Sequence, residues 1–319
     1  MGGTQMGIRS YEKKEAEAVQ YHHMNQLTCA VLEMYYRVLH VHRDVEVFLV
    51  LEGSLHITTS TEEFDMKAGD IAYFGPNHPH ACQTTAIEGS RLLVIQFDPS
   101  FCVSYYPRMR NLFFDTSDLS SVLPEETLAD LRAVCLRVGI HYFEHNPGFE
   151  FNCMGGVNRI MEQMVGGVPY QLIAEDAYLS VANYEKRMER IITYVQDNYA
   201  KKITLQELAD REGLSTSYIS HLFKDHLNKS FQSFLNDLRL ERAIFLLKNT
   251  NMKVIDICIE SGFSDSKYLS QAFINLFGMT PREFRNQYQN LENSDLAKES
   301  KNGEFVYDET QSLEILRMA

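Results

Sequence analysis

Along the 319 residues the spacing of apolar positions changes character twice. Residues 31 to about 98 carry short apolar stretches such as Val45–Leu51 and Leu92–Phe97. Turn signals separate them at Glu52–Gly53, Ala68–Gly69–Asp70 and Gly75–Pro76–Asn77. Short strands at roughly ten-residue spacing predict an antiparallel barrel or jelly roll. From Pro124 the pattern turns helical: Leu128, Leu131, Cys135, Val138 and Tyr142 alternate spacings of 3 and 4. So narrow a stripe suits one partner helix, giving a dimer joined through Pro124–Glu144, or else a helix lying on its own barrel. Glycines at 148, 155, 156, 166 and 167 interrupt the next stretch, of which Asn152–Val165 is expected to be helical. After Asn290 the chain is polar without a clear period, which predicts a tail that is loosely ordered or docked locally.

The strongest pattern is an internal repeat. LQELADREGLSTSYISHLFKDHLNKSFQSFL, from Leu205, matches VIDICIESGFSDSKYLSQAFINLFGMTPREF, from Val254, about 50 residues later. Leu205, Leu208, Ala209, Gly213 and Leu214 align with Val254, Ile257, Cys258, Gly262 and Phe263. After one inserted residue, Ile219, Phe223 and Leu227 fall on Leu269, Phe273 and Phe277. Each copy has the mechanics of a helix-turn-helix. A small residue (Ala209, Cys258) lets two helices cross closely, and a glycine four positions on (Gly213, Gly262) supplies the positive φ of a tight turn. Ser215 and Ser264 are placed to cap the second helix of each copy. Thr204 with Glu207 forms a capping box, flanked by the staple Ile203 and Leu208. Thr280-Pro281-Arg282-Glu283 opens a further helix, with proline at its first position. Phe231, Phe234, Leu238, Ala243, Leu246 and Leu247 mark a long helix joining the copies. Opposite the apolar faces of the two second helices stand Ser217, Tyr218, His221 and Lys224, then Ser266, Lys267, Ser270 and Gln271.

Charge divides along the same line. Residues 186–290 hold 15 Lys/Arg against 12 Asp/Glu, a balance of +3, which leaves −16 on the remainder of a chain whose net charge is −13. That excludes a protein that coats nucleic acid by charge alone and leaves room for one mildly basic module. Hydrophobic residues at 45% and charged residues at 23% exclude a disordered chain. No apolar run approaches the roughly 20 residues needed to cross a bilayer, and residues 1–20 lack a secretory pattern. The six cysteines form no C-x-x-C pair. Together these features predict a soluble protein of the reducing cytoplasm that contacts no membrane.

The segment from Lys186 to Tyr288 resembles the DNA-binding domain of the AraC/XylS transcription regulators, and GFSDSKYLSQAFINLFGMTPREFR is close to that family's signature stretch. Asn228 and Cys258 depart from it, standing where glycine and alanine are usual. The resemblance implies two recognition helices entering successive major grooves of promoter DNA, with Ser217, His221, Lys267 and Gln271 at base edges. Glutamine can pair with adenine and lysine can donate to guanine. The neighbouring polar groups would meet phosphate.

Ahead of it, His40-x-His42-x3-Glu46-x6-Gly53 and the later His80 resemble the two motifs of a cupin barrel, a sensory domain commonly found before an AraC-type DNA-binding domain. Alternation puts His40 and His42 on one face, where Glu46 can join them from the next strand. The second motif departs from metal-binding cupins, since Gly69 to Pro76 is one residue too long and a following asparagine is missing. Three readings stand for His40, His42, Glu46 and His80: a divalent Mn, Fe, Ni or Zn site, polar contacts to a ligand with no required cofactor, or a satisfied structural cluster. Tyr36 and Phe48, with Tyr73 and Phe74, are expected to line the apolar wall of that pocket.

The chain therefore reads as an α+β, two-domain protein. A cupin jelly-roll domain occupies 1–120, a helical linker or dimerisation segment 121–184, an all-α tandem helix-turn-helix domain 185–290, and a polar tail 291–319. The function expected is a homodimeric, non-enzymatic, DNA-binding regulator that responds to a small molecule. The resemblance adds activation through RNA polymerase and a sugar or related metabolite as effector. The competing class is a metal-dependent cupin enzyme, an isomerase or dioxygenase, with a helical appendage. No serine triad order, phosphate-binding glycine loop or paired-cysteine zinc motif supports another enzyme.

Overall fold

The computed structural model describes residues 23–84, 89–172, 187–188, 190–227, 229–291, 298–301 and 304–319. The first 20 residues and the expected boundary at 184–185 lie outside them. The barrel strands are β1 (Leu27–Met34), β2 (Tyr36–His40), β3 (Val45–Glu52), β4 (Ser54–Thr59), β5 (Glu63–Lys67), β6 (Ile71–Phe74), β7 (His80–Thr84) and β8 (Ser90–Phe97). A short pair, β9 (Leu112–Phe114) with β10 (Tyr170–Leu172), brackets the helices α1 (Leu119–Val122), α2 (Glu125–Glu144) and α3 (Phe149–Gly167). The helical domain comprises α4 (190–198), α5 (Leu205–Glu212), α6 (Thr216–Leu227), α7 (Phe231–Asn249), α8 (Val254–Glu260), α9 (Ser266–Phe277) and α10 (Pro281–Leu291). Beyond it come β11 (Lys298–Lys301), β12 (Glu304–Tyr307) and α11 (Glu309–Met318).

Two sheets make the barrel, ordered β11-β12-β1-β8-β3-β6 and β2-β7-β4-β5. Alternation along the central strands explains the layering. Val45, Val47 and Leu49 of β3, with Leu93, Ile95 and Phe97 of β8, pack beneath α2 and α3. Phe48, Val50, Leu92 and Val94, with Phe74 of β6, face Leu55 and Ile57 of the opposing sheet. Burial of each such side chain contributes about 1.5–3 kcal/mol.

The stripe on α2 belongs to this core. Leu128, Leu131, Cys135, Val138 and Tyr142 are all buried against the chain's own strands and α3. They cannot form a dimer seam without dismantling that core, so of the two readings of the stripe the barrel-facing one holds. Cys29, Cys82, Cys102, Cys135, Cys153 and Cys258 are buried free thiols. Among the described residues no helix is long and apolar enough to cross a membrane.

The tail differs most from expectation. Within it β12 pairs antiparallel with β1, Leu32 opposite Val306 and Met34 opposite Glu304, and so extends the six-stranded sheet. Asp308 and Gln311 close a capping box at the start of α11. That helix lies on α2, where Gly139 admits Leu316, and Arg317 pairs with Glu144 at 2.7 Å. Few tail side chains are apolar, but Phe305, Tyr307 and Leu316 are 2–3% exposed, enough to anchor a short segment whose backbone bonds a strand edge.

The helical domain rests on the barrel through β2 and α7. Tyr36, Val38 and Leu39 join the core of the helical domain rather than the barrel interior. Arg37 Nη1 donates to Glu241 Oε1 at 3.1 Å, and the Val38 amide donates to the same oxygen at 3.4 Å. At the end of α7 the Lys248 ammonium lies over the rings of Tyr35 and Phe305.

Candidate nucleic-acid interface and buried donor cluster

The helical domain presents two equivalent units. Gly213, at φ 67°, ends α5, and Ser215 Oγ accepts the Tyr218 amide at 3.1 Å to start α6. Gly262, at φ 83°, makes the second turn, but α9 is capped by Asp265, which accepts the Lys267 amide at 2.7 Å, not by Ser264. A carboxylate is an equally good acceptor there, and it adds negative charge at the positive end of the helix. Thr204 caps α5 as expected, but Glu207 bonds the Tyr194 hydroxyl, so only half of that box forms. The Thr280–Glu283 box forms both ways. Asn228 lies outside the described residues.

With Ile219, Leu222, Phe223, Leu269 and Phe273 buried, the opposite faces of α6 and α9 point to solvent. Ser217, Tyr218, His221, Lys224, Ser266, Lys267 and Gln271 are exposed, and Ser270 is half-buried. Three of these carry internal bonds that restrict their rotamers: His221 Nδ1 to the Ser217 carbonyl at 2.7 Å, Gln271 Nε2 to Asn275 Oδ1 at 2.8 Å, and the Tyr218 hydroxyl, which accepts from Arg187 Nη1 at 3.3 Å. One residue of this face escaped the sequence reading. Tyr268 is 63% exposed on α9, at the repeat position of Tyr218 on α6. Carrying the repeat alignment one residue back from Leu269 would have found it.

In the barrel, His40, His42, Glu46 and His80 are all buried and converge, one donor atom from each lying within 4.8 Å of the rest. The hydrogen bonds of the rings decide what this group can do. His40 Nδ1 bonds the Val38 carbonyl at 3.0 Å, His42 Nδ1 that of Asp44 at 2.8 Å, and His80 Nδ1 that of His78 at 2.9 Å. A carbonyl only accepts, so each Nδ1 carries the hydrogen and a neutral ring has its lone pair on Nε2. Nε2 of His42 and of His80 stand 3.3 and 2.7 Å from the same oxygen, Glu46 Oε2. Lone pairs repel a carboxylate oxygen at that range. The arrangement therefore needs a cation, either a proton on a ring or a metal ion among the donors.

Electrostatics agree. Burial pushes the Glu46 carboxyl up, but His42 and His80 overcome it and hold it well below the usual range. Burial, then the charge of Arg37, keeps His40 well below a normal imidazole. Burial and the adjacent His80 lower His78 to about 4. A neutral imidazole whose second nitrogen is tied to a carbonyl is the usual form of a metal-ligating histidine. The donor set of three imidazoles and one carboxylate fits a divalent transition ion.

Among the expected wall residues, Phe74 stacks on His80 at 4.0 Å and Phe48 meets it edge-on at 6.2 Å. Tyr36 does not join them. Its hydroxyl bonds Asp237 of α7, because the register of β2 against β7 shifts between Arg37 and His40 and breaks the alternation. Tyr73 also faces away, onto Phe114 beneath the helices. Gln96, which the sequence reading missed, donates to Glu46 Oε1 at 2.7 Å and leaves Oε2 to the histidines. Its signal was a polar residue at an inward position of β8, in phase with Leu92 and Val94.

Residues 208–287 match the helix-turn-helix domain family, and residues 36–96 the cupin domain family. The Msm operon regulatory protein of Streptococcus mutans is 28% identical over 249 residues, 76% of this chain and 84% of that protein. An uncharacterized HTH-type transcriptional regulator of Staphylococcus aureus is 23% identical over 236 residues, covering 74% of this chain but only 30% of the relative's length. Among solved structures, ToxT from Vibrio cholerae aligns over 82% of this chain and 98% of its own at 15% identity, with a TM-score of 0.47.

Proposed function

Because the chain carries an AraC-type helix-turn-helix domain and a cupin domain, we propose that it is a DNA-binding regulator of transcription, not an enzyme, whose barrel senses a small molecule. The observation that carries this reading is the pair of exposed polar faces on α6 and α9, two copies of one unit on a single helical core. Paired recognition helices suit successive major grooves of duplex DNA. A homodimer in the cytoplasm, activating through RNA polymerase, completes the reading by resemblance. Its interface must then be a surface other than the α2 stripe.

Gln271→Ala and Lys267→Ala should each weaken binding to a selected duplex site by about 1–3 kcal/mol, with unchanged thermal stability, since both side chains leave the core untouched. A gel-shift titration giving parent-like affinity for both variants would remove them from the base-reading set.

In the barrel, His40, His42, Glu46 and His80 would hold a divalent transition ion, which supplies Lewis acidity toward an oxygen-bearing ligand. A sugar or related metabolite has adjacent oxygens suited to such an ion. Gln96 orients Glu46, the three carbonyls fix the tautomers, and Phe74 and Phe48 shield the donors from water. His42→Ala should remove about one transition metal per chain from protein purified without chelator. Elemental analysis giving equal metal for parent and variant would favour a protonated, polar ligand contact instead.

A further inference from the structure

A second donor group lies outside both of these sites. We propose that His23, His145 and Glu309 bind a divalent first-row transition ion, zinc being the reference case, and that this ion clamps the C-terminal helix to the barrel domain.

The three residues come from distant parts of the chain: the approach to β1, the C-terminal cap of α2 and the first residue of α11. One donor atom from each lies within 4.8 Å of the others. His23 Nε2 is 2.9 Å from Glu309 Oε1, His145 Nδ1 is 4.0 Å from Glu309 Oε2, and the two imidazole rings are 4.1 Å apart. Ligands about 2.1 Å from one ion lie within about 4.2 Å of each other, so small side-chain rotations bring the set into coordination distance. Two imidazoles and a carboxylate are borderline donors suited to zinc or its neighbours. The side chains are 30%, 30% and 53% exposed, so an ion can enter and water can complete its shell.

His145 is where the protein departs from ordinary helix ending. It occupies the left-handed region, φ 50°, at a C-cap position where glycine is the unstrained choice. Its Nε2 is buried without a hydrogen-bond partner. The nitrogen that faces Glu309 is the other one, Nδ1, so the helix stop carries a strained imidazole turned toward the carboxylate, pointing to a role beyond stopping the helix. Coordination would supply that role. It would join three segments that are otherwise held, at this corner, by contacts that half-exposed charges make weakly.

The test is zinc titration of the chelator-stripped full chain by calorimetry, with hydrogen exchange of residues 309–318 followed at each addition. His145→Gly removes a ligand while relieving the strained φ, and Glu309→Gln removes the carboxylate charge from an exposed position; both variants should fold. The expected result is one zinc equivalent present in the parent and lost from His145→Gly, with zinc-dependent slowing of exchange in 309–318 seen only in the parent. Glu309→Gln should weaken that equivalent at least tenfold. Parent-like stoichiometry and affinity in both variants, or zinc binding that leaves 309–318 unprotected, overturns the clamp. His42→Ala separates this site from the buried barrel cluster. An equivalent surviving in His42→Ala but lost in His145→Gly supports the clamp whatever the barrel cluster does, and the converse overturns the clamp while leaving the barrel reading intact.

Discussion

Glu241→Ala should lower the stability of the folded chain by about 3–5 kcal/mol, the largest effect we expect from removing a single charge. Its carboxylate accepts both Arg37 Nη1 and the Val38 amide, and side-chain exposure of the Arg37–Glu241 pair is 2% and 7%. Without the carboxylate a guanidinium that is almost wholly buried beside α7 loses this acceptor. The guanidinium keeps its desolvation penalty while losing this ion pair, and that penalty, more than the lost attraction, sets the cost. The double variant Arg37→Met/Glu241→Leu should therefore recover most of the loss, because it removes both charges and keeps the volume. Urea unfolding of the two single variants and the double variant gives the cycle. A Glu241→Ala cost below about 1 kcal/mol would refute this assignment and show that the guanidinium is satisfied without Glu241.

Gly262→Ala should cost on the order of 3 kcal/mol, whereas Gly213→Ala should cost about 1 kcal/mol, although the two glycines occupy the same position of the repeat. Both have positive φ, at 83° and 67°. A β-carbon at 262 would stand 2.7 Å from Ala200 Cα and 2.9 Å from the Tyr199 carbonyl oxygen, backbone atoms that cannot rotate away. At 213 nothing lies within 4 Å. The second turn is thus pressed against the end of α4, and the first is open. Gly262→Ala should accordingly displace α9 and abolish binding to a duplex site that Gly213→Ala still binds. Equal melting temperatures for the two variants would refute the distinction.

The helical domain was legible because its signals are local. Caps, turn glycines and apolar faces lie within one repeat unit, and the second copy checks the first. The barrel cluster was legible because its donors have distinctive chemistry and a strand alternates reliably. Both kinds of signal fail where a distant partner decides. The α2 stripe states that one face is covered but cannot name the cover. Tyr36 followed the alternation rule until the shifted register of β2 turned it toward α7. The tail formed strands because β1 offered an edge, which no pattern after Asn290 encodes.

That last pairing sets how the helical domain is tethered. The polypeptide leaves the barrel domain after β10 and re-enters it at β11 and β12, so α4 to α10 are carried as an insert. A body joined at one end can swing away from its support; one joined at both ends and seated on β2 through α7 is held against the barrel. A change in the barrel would then reach α6 and α9 together, through the β2–α7 junction as well as through both chain connections. Cutting the chain after Leu291 would remove one connection and bare the β1 edge at Leu32–Met34, leaving the α7–β2 junction to hold the helical domain beside an exposed strand.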